Sequence, residues 1–171
     1  KLLGRRTSSG AWEAGGQLPD QKRPVAETHD VSIMWNLVAL RDSGAPLEYE
    51  ARLLEEVEAD GDGTSAEWLA LRMYLETDGD VRAARRSTLL AAQNDDGGWG
   101  WHVGGATDAM ATGQVIYLLK RSGLAADEPA IRLGVAALLE TQRDDGSWAV
   151  LGTKEAKKDV EEWTSVYWGT A

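Results

Sequence analysis

Gln93-Asn-Asp-Asp-Gly-Gly-Trp99 and Gln142-Arg-Asp-Asp-Gly-Ser-Trp148 share the pattern Gln-x-Asp-Asp-Gly-x-Trp. The likeness extends upstream without a gap. Residues 85–99 align with 134–148 at seven identical positions, which add a Leu-Leu pair to the motif. Self-similarity at a fixed spacing marks a repeat architecture, and the rest of the chain falls into the same frame. Residues 28–44 align with 107–123, each beginning with Thr and ending in Ser-Gly. Thr64–Gly79 lies 36 residues after Thr28, a shift that carries Leu53-Leu54 onto Leu89-Leu90. Residues 1–16 align with 88–103, and Thr164–Ala171 with Thr107–Gln114.

Each repeat reads as two helices. The first kind is expected over about 28–43, 64–78 and 107–122, where Ala111, Val115, Leu118 and Leu119 share a face, as do Trp68, Leu71 and Leu75. Its opening Thr is expected to cap the free amides, and Thr64-x-x-Glu67 has capping-box spacing. Gly44 and Gly123 supply left-handed ends. The second kind is expected over about 47–58, 81–93 and 128–142, with Ile131, Val135, Leu138 and Leu139 as its stripe and Pro46 and Pro129 near helix starts. No strand alternation stands out, so the fold class is all-α. Residues 1–171 are read as a single repeat domain of about three helix pairs, divided as 1–16 in part, 28–63, 64–101, 107–148 and 160–171 in part. Stacked repeats bury one another's faces, so both ends are expected to expose apolar helix surface for further repeats of a parent chain.

The motif lies where the second helix stops. Gly97 and Gly146 permit a sharp turn, and the indole of Trp99 or Trp148 can fold back over the helix end. The amide of Gln93 or Gln142 can reach loop carbonyls or the amides of the next helix. The first full repeat departs from the pattern, because Ala59-Asp-Gly-Asp-Gly63 lacks both Gln and Trp. The upstream copy keeps Gly10 and Trp12 but has Arg6 where Gln belongs.

With these motifs the chain resembles the terpenoid cyclase and protein prenyltransferase superfamily, in particular the squalene–hopene cyclase-like repeat proteins of bacteria. The stretch from Gly97-Gly-Trp99 through Thr107 to Thr141-Gln142 is similar to the C-terminal part of such cyclases. The resemblance implies an α/α toroid, with inner helices around an apolar cavity and outer helices behind them. This chain would be an open arc of it, a partial α/α toroid. The resemblance also implies an apolar, isoprenoid-like small molecule as partner.

Class II terpenoid cyclases resemble one another in an Asp-x-Asp-Asp segment that protonates the substrate, with aromatic walls that stabilise the cation. No Asp-x-Asp-Asp occurs in this chain. Asp60-Gly-Asp62 and Asp78-Gly-Asp80 read as turn residues. Asp95-Asp96 and Asp144-Asp145 repeat with the motif and read as part of its turns. The loop Glu58-x-Asp60-x-Asp62-Gly63 fails as an EF-hand, since Leu69 stands at its twelfth position. Cysteine is absent, which removes thiolate nucleophiles, disulfides and Cys-ligated zinc and leaves the compartment open. The two histidines, His29 and His102, are 73 residues apart. No catalytic residue, metal site or cofactor is assigned. Trp101, His102 and Asp108 form the candidate ligand-binding constellation at a cavity rim, and the turn residues Gln93, Gly97, Trp99, Gln142, Gly146 and Trp148 are assigned a structural role. Trp35, Trp68 and Trp168 are placed on first-kind helices, to pack in the core or line a cavity.

Composition narrows the partners. A net charge of −10 argues against nucleic acid, whose phosphates need clustered Lys and Arg. Seven acids between Glu48 and Asp62 face only Arg52 and read as a solvated helix face. The longest apolar runs, such as Val135–Leu139, fall far short of the roughly 20 residues that span a bilayer. The chain starts at Lys1 without an initiator Met or a signal-peptide pattern, as expected of a segment cut from a longer protein. Two functions remain in view. One is a squalene–hopene cyclase-like protein that binds or cyclises an isoprenoid-like substrate. The other is a non-catalytic helical module that binds a protein or other ligand, toward which the polar inner positions Asp30, Asn36, Arg72 and Gln114 lean.

Overall fold

The computed structural model describes Trp12 and residues 25–44, 50–59, 61–150 and 165–168. Its elements are α1 (Val25–Asp42), α2 (Glu50–Ala59), α3 (Ala66–Leu75), α4 (Gly79–Ala91), α5 (Ala109–Arg121), α6 (Pro129–Thr141), β1 (Ser147–Val150) and β2 (Ser165–Trp168). The fold is all-α, and the six described helices form the three expected pairs. The chain divides into two compact units, Lys1–Gly63 and Thr64–Ala171, parted where the self-alignment starts a new repeat.

In the first unit α1 packs on α2, and an Arg41–Glu50 ion pair joins the end of one to the start of the other. Helix α1 is buried over much of its circumference, from Thr28 and Val31 through Met34 and Leu37 to Leu40. Helix α2 buries Leu53 and Val57 and exposes Glu55, Glu56 and Glu58, so that part of the acidic run is a solvated face. Gly44 ends α1 with φ 67°, and its amide donates to the Arg41 carbonyl.

The second unit shows why the two kinds of helix differ. Helix α3 packs against both α4 and α5, and α5 also packs against α6. An element covered on two sides buries most of its surface, and eight of the ten α3 residues are buried. Helix α4 has a narrower contact and buries Leu89 alone. The pairs therefore stack with α3 and α5 side by side and α4 and α6 behind them, the layer order of an α/α toroid arc. Gly123 closes α5 with φ 98°, its amide donating to Lys120 and that of Leu124 to the Leu119 carbonyl, both bonds of a Schellman end.

Two expectations are corrected. The Thr residues do not cap their helices. Thr28 lies inside α1; Ser65 caps α3 by accepting from the Trp68 amide, and Asp108 caps α5 by accepting from that of Ala111. Thr64 and Thr107 are drawn into loop pairing one residue earlier, where the Thr64 carbonyl accepts from Val103 and the Thr107 hydroxyl donates to Asp96. Glu67 is buried and accepts from Gln114 rather than closing a capping box. The second correction concerns residues 165–168, read as a helix start. They form β2, antiparallel to β1, with Trp148 opposite Tyr167 and Ser147 opposite Trp168. Trp168 is thus a strand residue. Its stretch Ser-Val-Tyr-Trp is β-branched and aromatic, which suits an extended backbone. Pro46 and the partial repeat at residues 1–16, apart from the buried Trp12, lie outside the described residues.

Candidate functional site

Each motif turn is built by the same bonds. After α4, the Asn94 amide donates to the Gly98 carbonyl (2.9 Å) and the Gly97 amide to Asn94 (2.8 Å). After α6, Arg143 donates to Ser147 (2.9 Å) and Gly146 to Arg143 (2.8 Å). Both turns need a left-handed glycine, Gly97 at φ 88° and Gly146 at φ 83°. The second acid of each pair accepts from the amide two residues on, Asp96 from Gly98 and Asp145 from Ser147, each at 3.0 Å. A hydroxyl adds a second bond at 2.6 Å, from Thr107 to Asp96 and from Ser147 to Asp145. These bonds hold both carboxyls below the usual Asp range, the hydroxyl contributing most. Each indole reaches back ten residues, Trp99 Nε1 to the Leu89 carbonyl (2.9 Å) and Trp148 Nε1 to that of Leu138 (2.7 Å).

The first turn also reaches forward. Gln93 Nε2 donates to the Gly97 carbonyl (2.7 Å) and to that of Ala130 in the first turn of α6 (2.9 Å). Trp99 is fully buried, its backbone amide and carbonyl both joined to the Thr112 hydroxyl of α5. A Cβ at Gly134 of α6 would stand 2.9 Å from Trp99 Cζ3, so the missing side chain is what lets the ring in. Of the two turns, only this one has its glutamine joined to a following helix among the described residues.

The candidate constellation lies on the loop between Trp99 and Asp108. A Gly100–Thr107 pairing closes the loop, and the Asp108 amide donates to the Trp99 carbonyl (2.9 Å). Ser65 pairs with His102, and the Ala66 amide donates to the Trp101 carbonyl (3.2 Å). The loop thereby crosses the N-terminal ends of α3 and α5 and places Trp101 and His102, both half-buried, beside the start of α3. Asp108 stands at the start of α5. Desolvation raises its carboxyl above the usual range, against the amides of Ala111 and Met110, and the helix cap occupies it. The preference of Asp for cap positions is the signal that marks this role in the sequence.

Sequence reasoning missed a polar link between the inner helices. Gln114 of α5 donates to Glu67 of α3 at 2.8 Å, 47 residues away, and Glu67 is buried. Further along α3, Arg72 is paired with Glu76 (3.4 Å), whose other oxygen accepts from the amides of Thr77 and Asp78. Burial pushes Glu76 up, but those amides and the guanidiniums of Arg72 and Arg85 outweigh it and hold the carboxyl low. Arg85 also lies over the Trp68 ring, 6.0 Å from its centre. Asn36 of α1 donates to the Ser32 carbonyl (2.8 Å). An open groove on α6 is lined by Pro129, Arg132, Leu133 and Ala136. Among the described residues, no three His, Asp or Glu side chains gather as a metal-ligand set, and no helix is long and apolar enough to cross a membrane.

The family model described as Squalene-hopene cyclase N-terminal domain matches residues 53–141, just over half of the chain. The match runs from α2 to the last residue of α6 and takes in the first motif turn. It corrects the likeness to the C-terminal part of such cyclases. The motif turns recur from repeat to repeat, so they identify the repeat type without telling one part of the array from another. No match was found among curated proteins.

Proposed function

Because the chain belongs to the squalene-hopene cyclase N-terminal domain family, we propose that it serves in a cyclase-like protein whose substrate is apolar and isoprenoid-like. The family match over residues 53–141 carries this reading. In it, the chain supplies stacked helix pairs that shape and stiffen one side of the substrate site. The acid that starts the cyclisation is not an Asp-x-Asp-Asp of this sequence. Trp101 and His102, held on the loop at the start of α3, are the residues proposed to border the ligand, with Asp108 fixing the end of that loop. The test is incubation of the full-length protein with squalene and with polyprenyl substrates, followed by gas chromatography–mass spectrometry. Cyclised products are expected; no product from any of them would sink the reading.

A second reading has an observation in its favour. The Gln114–Glu67 bond places a polar pair between α3 and α5, where a hydrocarbon-folding wall would be apolar. That arrangement suits a non-catalytic module that binds a protein or other ligand. Retention of a polyprenyl ligand by the protein, measured by equilibrium dialysis, separates the two readings, since a protein-binding module has no use for it.

A further inference from the structure

Gln114 uses only half of its amide. Its Nε2 donates to Glu67 Oε1 at 2.8 Å, from α5 to α3, but its side-chain oxygen is buried and no donor reaches it among the described residues. A buried acceptor without a donor is costly, and most such atoms in folded proteins are matched. Glu67 keeps this oxygen from turning elsewhere. It is 5% exposed, and a carboxylate oxygen only accepts, so it holds the NH2 end of the amide and leaves the oxygen pointing away from itself. Next to Gln114 the helix is open. Gly113 and Tyr117 lie across α5 from the buried Ala111, Val115 and Leu118. Apart from its chain neighbours and its own helix backbone, nothing stands within 4 Å of where a Cβ of Gly113 would be, and Tyr117 is 44% exposed.

Within the cyclase-like reading, on which this rests, we propose that the Gln114 side-chain oxygen accepts a hydrogen bond from a hydroxyl of the ligand. The substrate is then an isoprenoid alcohol rather than a plain hydrocarbon. Helix α5 turns its open side to that ligand, because its covered side meets the motif turn through the bond from Trp99 to Thr112. The apolar body lies along Gly113 and Tyr117. Its hydroxyl end comes to the edge next to α3 and donates to Gln114, while Glu67 keeps the amide oriented. Glu67 is thus a positioning residue, and Gln114 is the one that reads the hydroxyl. A molecule that cannot donate there, a hydrocarbon or an ether, leaves the buried oxygen unmatched and forfeits that bond. The polar pair between α3 and α5 is out of place in a wall that meets only hydrocarbon. In one that meets an alcohol it has a use.

The probes are geranylgeraniol and its methyl ether, which share the polyprenyl chain, although only the alcohol can donate a hydrogen bond. Equilibrium dialysis of each against the full-length protein is expected to show the alcohol held about fivefold to tenfold more tightly, the equivalent of one hydrogen bond. Gln114→Met keeps the length of the side chain and removes the acceptor. It should bring the two affinities together, chiefly by weakening the alcohol. If Gln114→Met does not fold, the wild-type protein still decides the matter by nuclear magnetic resonance. Its Gln114 side-chain carbonyl carbon should move downfield with the alcohol and stay in place with the ether. Equal affinities for the two probes in the wild type would overturn the proposal and leave the cyclase-like reading standing; an oxygen paired with water alone would give that result. A preference for the alcohol that survives Gln114→Met would overturn it too, by placing the partner of the hydroxyl elsewhere. Retention of neither probe would overturn both the proposal and the reading beneath it.

Discussion

Gln93 donates to the carbonyl of Ala130 from 37 residues away, and the same nitrogen holds the Gly97 carbonyl of its own turn. One amide thus joins the end of α4 to the beginning of α6, across the helix that separates them in sequence. Replacing Gln93 with Ala removes both bonds, and at about 0.5–1.5 kcal/mol net for each, the loss should be about 1–3 kcal/mol. Gln142→Ala removes a single exposed bond and should cost clearly less. Urea denaturation of the two variants checks the order, and equal losses would contradict it.

The contrast also shows what could be read in the sequence. The helix pairs and the motif turns were legible because their signals are local: apolar spacing, Gly and Trp at fixed offsets, and a register that repeats. Residues settled by tertiary contacts were not. Thr64 and Ser65 carry adjacent hydroxyls, and only the pairing of Thr64 with Val103 decides which of them caps α3. Thr107 precedes Asp108, and its hydroxyl is claimed by Asp96, eleven residues back. The Gln114–Glu67 bond spans 47 residues and has no local signature. At residues 165–168 the repeat register rests on Thr164 matching Thr107 alone, too little to outweigh a β-favouring stretch.

The buried indole should matter more than its half-buried counterpart. Trp99→Ala empties a fully buried site and is expected to cost about 3–5 kcal/mol. Trp148→Ala should cost less than that, since the ring is half-buried. Thermal unfolding followed by circular dichroism measures both, and a larger loss at Trp148 would refute the asymmetry.

Gly134 should not tolerate a side chain. Its Cβ would meet Trp99 Cζ3 at 2.9 Å and Ile116 Cδ1 at 3.0 Å, both in packed surroundings. Gly134→Leu is expected to destabilise by about 1–3 kcal/mol through overpacking. It should also move the Trp99 emission toward that of a solvated indole. Wild-type stability and emission would show that α6 does not seat on the ring.

Acid should weaken the first turn through Asp96. Its carboxyl is held below 3.8 by the Thr107 hydroxyl and the Gly98 amide. A lowered carboxyl contributes stability that is present above its unfolded value and lost as pH falls through the folded one. Asp108 acts in the opposite sense: burial raises its carboxyl, so ionisation costs stability above that raised value and the cost is relieved as pH falls. Asp96→Asn keeps an oxygen acceptor but cannot titrate. Melting temperature measured from pH 7 down to pH 2 should therefore fall less steeply below about pH 4 in Asp96→Asn than in the wild type. Parallel curves would remove Asp96 from the account.

Through the Gln93–Ala130 bond and the Trp99 ring, the motif turn after α4 holds α6 in place. Amide hydrogen exchange in the native state, comparing Gln93→Ala with the wild type, tests it most directly. Loss of the Ala130 bond is predicted to speed exchange in α6 about fivefold to tenfold, the equivalent of roughly one hydrogen bond, while α3 keeps its protection. Unchanged exchange in α6, or a uniform increase across all helices, would contradict it.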